Sequence, residues 1–189
     1  MITNFFFSTI GKKSTPTPIV FDADYIMIKY TFTDGVDLDT RTKMLSPVVS
    51  GYLGWSRLSR YPASPDPIIL EWGGDNTGAG NVDNTTSEAV LINLINFRAE
   101  YPDTPISLDC RAFWYNTQGY DPVILEATLW KGGSIVNGTP YRQFSNPTAD
   151  SSLVADSQGA TITDVTRSSD GERVGFFDYD PSTNIGQFT

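Results

Sequence analysis

Apolar and polar residues alternate through most of the chain from Ile19 onward, and a period of two marks strands with one buried face. In "DYIMIKYTFT", Ile26, Ile28, Tyr30 and Phe32 share one face, and the other face is mixed. "DGVDLDTRTKML" turns at Asp34-Gly35 and enters a second strand. Further short strands are predicted in "GYLGW", "IILEW", "EAVLINL", "ISLDCRAFWY", "VILEATLWKGG", "ATITDV" and "ERVGFFDY". Between them lie "SPDP", "GGDNTG", "NTQGYDP", "KGGS", "NPTAD" and "SSDGE", clusters of the residues that favour chain reversal. "DPVILEATLWKGGSIVNG" reads as a hairpin with Gly132 and Gly133 at its turn. Only "LINFRAEYP" follows a helical period: Leu94, Phe97 and Tyr101 share a face, and Pro102 stops the helix. Many short strands and one helix predict an all-β fold, an antiparallel β-sandwich with one short helix capping a crossover.

Residues 1–18 break this pattern. "GKKSTPTP" is extended and poor in core contacts, and "NFFF" ahead of it is an apolar plug. Two readings stay open: a terminus without fixed structure, or an extended N-terminal arm that docks on a neighbouring subunit. Residues 19–189 then form a single domain, because the Pro/Ser loop "SRLSRYPASPDP" is too short to divide it.

Charge narrows the function classes. The chain of 189 residues carries a net charge of −9, which repels phosphate backbones and attracts cations, so nucleic acid is not an expected partner. With no histidine, the chain lacks the usual general base and the usual transition-metal ligand, and any bound metal is expected to be a hard ion held by oxygen. Cys110 is the single cysteine; it excludes an intramolecular disulfide and reads as a small core residue. "MITNFFFSTIGKK" has its apolar cluster before its lysines and does not read as a signal peptide. No apolar run approaches the ~18 residues of a membrane helix.

Two acidic stretches carry candidate chemistry. In "VDLDTRTKM", Asp37 and Asp39 face one way on a strand with Leu38 opposite. The pair reads either as cation ligands or as a solvated face on which Arg41 neutralises one carboxylate. In "EWGGDNTGAGNVDNTTSEAVLINL", Asp75, Asn76, Asn81, Asp83, Asn84 and Glu88 supply oxygens, and the glycines let carbonyls turn inward. An EF-hand register starting at Asp75 places Gly80 correctly but puts Thr77 and Thr86 where acidic ligands belong. No Gly-Lys-Ser/Thr follows the glycines, so the stretch is not a phosphate-binding loop. Glu71 with Glu88, or Asp75 with Glu88, are the conceivable glycosidase pairs, and a serine or cysteine nucleophile lacks its histidine base. Trp55, Trp72, Trp114 and Trp130 lie in or beside strands and are expected to pack in the sheets rather than form a sugar platform.

Taken in order, "VDLDTRTKML", "GGDNTGAGN" and "SEAVLINL" resemble the tellurium-resistance TerD-like family of β-sandwich proteins over about residues 26 to 115. That family carries an Asp-Leu-Asp strand and a later Gly-Asp-Asn loop leading into a strand that begins with Glu. The resemblance implies a calcium site built from Asp37, Asp39, Asp75, Asn76, Gly78, Gly80 and Glu88. "NVDNTTSE" is poorer in acids than the family's loop, which implies weaker affinity or one ion rather than two. "WGGDNTG", "RAFWYNT" and "TLWKGG" are also similar to stretches of proteins encoded by large tailed phages. The implied protein is non-enzymatic and calcium-stabilised, a structural or interaction component of a virion assembled in the host cytoplasm. Its expected partners are other protein subunits, reached through the arm, in a homo-oligomer or a particle. The alternatives are a cytoplasmic TerD-like stress-response protein and a carbohydrate-binding module.

Overall fold

The computed structural model describes residues 19–20, 22–33, 36–77, 85–116, 118–119, 121–137, 144–153, 157–166 and 170–189. The expected arm at residues 1–18 lies outside them. In chain order the elements begin with β1 (Ile19–Val20), β2 (Tyr25–Thr33), β3 (Asp37–Ser46), β4 (Leu53–Gly54), β5 (Arg60–Tyr61) and β6 (Leu70–Trp72). β7 (Thr85–Asn93) leads directly into α1 (Leu94–Glu100), followed by β8 (Ile106–Tyr115), β9 (Val123–Lys131) and β10 (Val136–Asn137). The chain ends with β11 (Phe144–Ser145), β12 (Asp150–Leu153), β13 (Gln158–Ala160), β14 (Glu172–Asp180) and β15 (Ile185–Phe188).

Two antiparallel sheets face one another, as the alternation predicts. The first runs β1-β15-β14-β8-β3-β4, and the second runs β12-β9-β2-β7-β6-β5 with β13 also on β9. Period-two side chains fill the space between them. Ile26, Ile28, Tyr30 and Phe32 of β2 are all buried there, against Leu38 and Met44 of β3 and Leu108, Cys110, Ala112 and Trp114 of β8. Each fully buried aliphatic side chain contributes about 1.5–3 kcal/mol. Polar atoms among them are matched: the Tyr30 hydroxyl lies 2.7 Å from Thr42 Oγ1, and Trp114 Nε1 donates to the Ile162 carbonyl at 2.8 Å. Burial pushes the Cys110 thiol up to about 12, so it is a packed core residue.

The helix forms where its period predicts. Asn93 caps it, its side chain accepting from Asn96 N at 3.0 Å, and Leu94 and Phe97 are its buried face. Phe97 packs on Tyr101 with ring centroids 5.5 Å apart.

The expected β9 hairpin does not form. Gly132 and Gly133 both turn with φ of 72°, but β10 pairs with β11, and β9 pairs with β2, β12 and β13. The reason is packing on the outer face of the second sheet. Ala89, Leu91 and Trp130 form an apolar patch there, and Phe144 of the β10–β11 ribbon buries itself on it. Asn146 Nδ2, donating to the Gly132 carbonyl at 3.0 Å, fixes that return. The tryptophans also divide: Trp114 and Trp130 are buried, whereas Trp55 is 46% exposed.

Gly54 is required by close approach. Its φ is 145°, and a Cβ there would collide with the Thr40 carbonyl and sit 2.9 Å from Arg41 Nη1. Gly54→Ala should therefore destabilise by more than about 3 kcal/mol, read by urea denaturation. Gly132→Ala, with nothing within 4 Å, should cost only the ~1–2 kcal/mol of a left-handed backbone.

Candidate functional site

Asp75, Asn76 and Glu88 lie at one end of the sandwich beside β3, with Glu88 between the sheets and Asp37 and Asp39 on the outward face of β3. Period two sets the directions: in β3 Leu38, Thr40, Thr42 and Met44 point toward the opposite sheet, and Asp37, Asp39, Arg41 and Lys43 point away. In β7, Thr86, Glu88, Val90 and Ile92 point inward. Glu88 is thus a carboxylate on a core-facing position, 2% exposed.

Its oxygens are taken from both sheets. Glu88 Oε2 accepts from Thr40 N at 3.2 Å and from Thr40 Oγ1 at 2.5 Å. It also accepts from Trp72 Nε1 at 3.4 Å. Glu88 Oε1 accepts from Asn76 N at 3.2 Å. Asn76, fully buried, donates Nδ2 to the Ser87 carbonyl at 3.0 Å and ties the loop after β6 back onto β7. One glutamate therefore joins β3, β6, β7 and the Asp75–Asn76 loop.

Burial pushes Glu88 up to about 8; hydrogen bonds from Thr40 and Asn76 oppose this, and the negative charges of Asp75 and Asp39 add to it. That influence places both aspartates within electrostatic reach of Glu88. Asp75 is itself raised by burial, and its Oδ1 is buried with no hydrogen-bond partner. Asp37 lies two residues from Asp39 on the same face of β3.

At Asp39 and Arg41 that face is not solvated, contrary to one of the two sequence readings, although Asp37 and Lys43 are half-buried. Asp39 is 2% exposed and Arg41 fully buried. Nor is Arg41 a surface partner for the aspartates. It donates Nη1 to the Thr40 carbonyl at 2.9 Å and lies over the Phe113 ring, 4.8 Å from its centroid. Burial lowers its basicity, and the charge of Asp39 supports it through space.

The donor chemistry suits a hard divalent ion, being all oxygen and including the buried, unbonded Asp75 Oδ1. Asp37, Asp39, Asp75, Asn76 and Glu88 are the described residues of the expected set, while Gly78 and Gly80 lie outside the described residues. Among the described residues no three acidic side chains are grouped so as to hold an ion by themselves. Calcium would require further oxygens from the loop that follows Asp75. Sequence reasoning missed Thr40 and Trp72, both partners of Glu88. The signal for Thr40 was present: it occupies an inward position of β3, where alternation calls for an apolar residue.

A pH dependence follows. Without divalent cations, the folded state keeps a proton on Glu88 between the ordinary glutamate value of 4.5 and about 8, while the unfolded chain has released it. The contribution to stability is fully present below 4.5 and is lost as pH rises through about 8. Denaturant titrations across that window should show falling stability, and Glu88→Gln should flatten the slope. Thr40→Val, which removes one bond to Glu88, should cost about 1–3 kcal/mol. No family model, no curated protein and no solved structure matches the chain.

Proposed function

We propose that the chain is a non-enzymatic, calcium-stabilised β-sandwich of TerD-like type, working as a structural or interaction component of a phage particle. The observation that supports it best is Glu88. It ties the Asp37–Asp39 strand to the Asp75–Asn76 loop through Thr40 and Asn76, the two stretches on which the sequence resemblance rests. The charges of Asp75 and Asp39 act on Glu88 through space, and a divalent ion bound beside Glu88 relieves that repulsion. An ion bound only by the folded state adds about 2.7 kcal/mol at a hundredfold excess over its dissociation constant. The absence of histidine leaves buried carboxylates as the main ionisable groups of the site, which suits holding a cation better than moving protons. The particle role rests on the phage-like stretches, and the arm at residues 1–18 is the proposed clip to a neighbouring subunit.

Calorimetry should show calcium binding, and calcium should raise the melting temperature relative to EDTA. Asp75→Ala should abolish that difference. Absence of binding heat, together with identical melting of wild type and Asp75→Ala in calcium and EDTA, would falsify the cation role. Deleting residues 1–18 should abolish assembly while leaving the calcium-dependent melting intact; assembly that survives the deletion removes the clip from the proposal.

A further inference from the structure

Three arginines stand side by side on the outer face of the first sheet. Arg41 of β3 is opposite Arg111 of β8, and Arg111 is opposite Arg173 of β14. Like charges directly opposite one another on a sheet are destabilising, so the rung needs anions. Among the described residues two buried carboxylates share this face: Asp39, 2% exposed, whose charge supports Arg41 through space, and Asp109, whose side chain is 4% exposed. Asp109 accepts from Arg111 Nε at 2.9 Å, Arg173 Nε at 2.9 Å and Tyr52 Oη at 3.0 Å. Burial alone would raise its pKa, and those hydrogen bonds outweigh burial and hold it below the usual carboxylate range. Lys43, opposite Asp109 on β3, adds a fourth cation.

Asp39 and Asp109 do not satisfy the whole of this set. Arg41 is fully buried, its Nε and Nη2 included, so it is closed to a partner and the open cations are Arg111, Arg173 and Lys43. Arg111 gives Nη1 to the Gly171 carbonyl at 3.3 Å. Its Nη2, Arg173 Nη1 and Lys43 Nζ have no acceptor among the described residues. Arg57 nearby is answered by Asp170 at 3.3 Å. Aromatic rings hold the cations in place: Lys43 lies 5.2 Å and Arg111 6.0 Å from the Tyr52 centroid, and Arg173 lies 4.1 Å from that of Phe176. Cations fixed in this way lose little side-chain freedom on binding.

We propose that the open part of this face, Lys43 of β3, Arg111 of β8 and Arg173 of β14, is a docking surface for an acidic segment of a partner polypeptide. Charge complementarity sets the choice. The chain carries −9 overall, so an extended phosphodiester strand would run off the patch onto a repelling surface. A short peptide would not. Three adjacent strands span about 10 Å, and carboxylates two residues apart on an extended peptide are about 7 Å apart, within reach of neighbouring guanidinium groups. Tyr52 and Phe176 offer apolar contact between the charges. This surface lies apart from Glu88 and needs no bound metal.

The full-length chain should be titrated against a fluorescein-labelled peptide of alternating Glu and Ser, with fluorescence anisotropy as the readout. The comparison probes are the same peptide with Gln for Glu and an oligothymidylate of equal charge. Each titration is run in EDTA and in calcium, where equal affinities separate this surface from the cation site. The acidic peptide should bind, should weaken with added salt, and should exceed both comparison probes. Lys43→Gln, which strands no buried group, should weaken binding about two- to fivefold. Arg173→Gln should weaken it about tenfold, with an unchanged circular dichroism spectrum confirming the fold. Failure of the acidic peptide to bind, equal binding of the Gln peptide, tighter binding of the oligothymidylate, or indifference to both variants would each overturn the proposal. Self-association that disappears in Lys43→Gln would overturn it in favour of a second copy of this chain.

Discussion

Glu88 belongs to one sheet and draws two of its hydrogen bonds, the shortest among them, from the other. Thr40 supplies them through both its amide and its hydroxyl, so the carboxylate fixes the separation and register of β3 against β7 at that end of the sandwich. Apolar packing can hold two sheets together, but it is non-directional. A buried carboxyl group with four donors is directional, and loss of any donor leaves a polar atom unsatisfied in a dry place, at about 1–3 kcal/mol. The Asp75–Asn76 loop, the edge of β3 and the indole of Trp72 all take their positions from this group.

The same group explains why acid accumulates there. Asp39 and Asp75 raise the free energy of an ionised Glu88, and burial does so further. Such a cluster is tolerable when protonated or when matched by positive charge. Arg41 provides that charge for Asp39, which shares its outward face of β3, but not for Glu88 between the sheets, and it is held by Phe113 and the Thr40 carbonyl. Glu88 meets that condition by keeping its proton up to about 8.

Alternation made much of the architecture legible. The inward set of β2, the strand at β8 and the short helix stopped by Pro102 all follow from side-chain period, because each buries a regular face in one core. Two kinds of feature were not legible. The return of β10 and β11 onto the second sheet depends on Phe144 meeting Ala89, Leu91 and Trp130, residues distant in the chain whose meeting leaves no local signature. Glu88 was singled out for its oxygens, but not as a bridge, since its partner Thr40 lies 48 positions earlier. The arginine rung likewise needs the register of three strands before Arg41, Arg111 and Arg173 become neighbours.

The shortness of the outermost strands has a separate consequence. β1, β4 and β5 have two residues each, and β12 and β13 have four and three, so no long unpaired border is presented by these strands as a template for a foreign one. Where β3 extends past β4, side chains and loops occupy its backbone: Glu88 takes the amide of Thr40, Arg41 its carbonyl, and Ser50 both polar groups of Met44. A chain rich in aromatics and β-branched residues is thereby kept from growing into continuous sheets with its neighbours. Edge-to-edge sheet extension through these strands is therefore disfavoured.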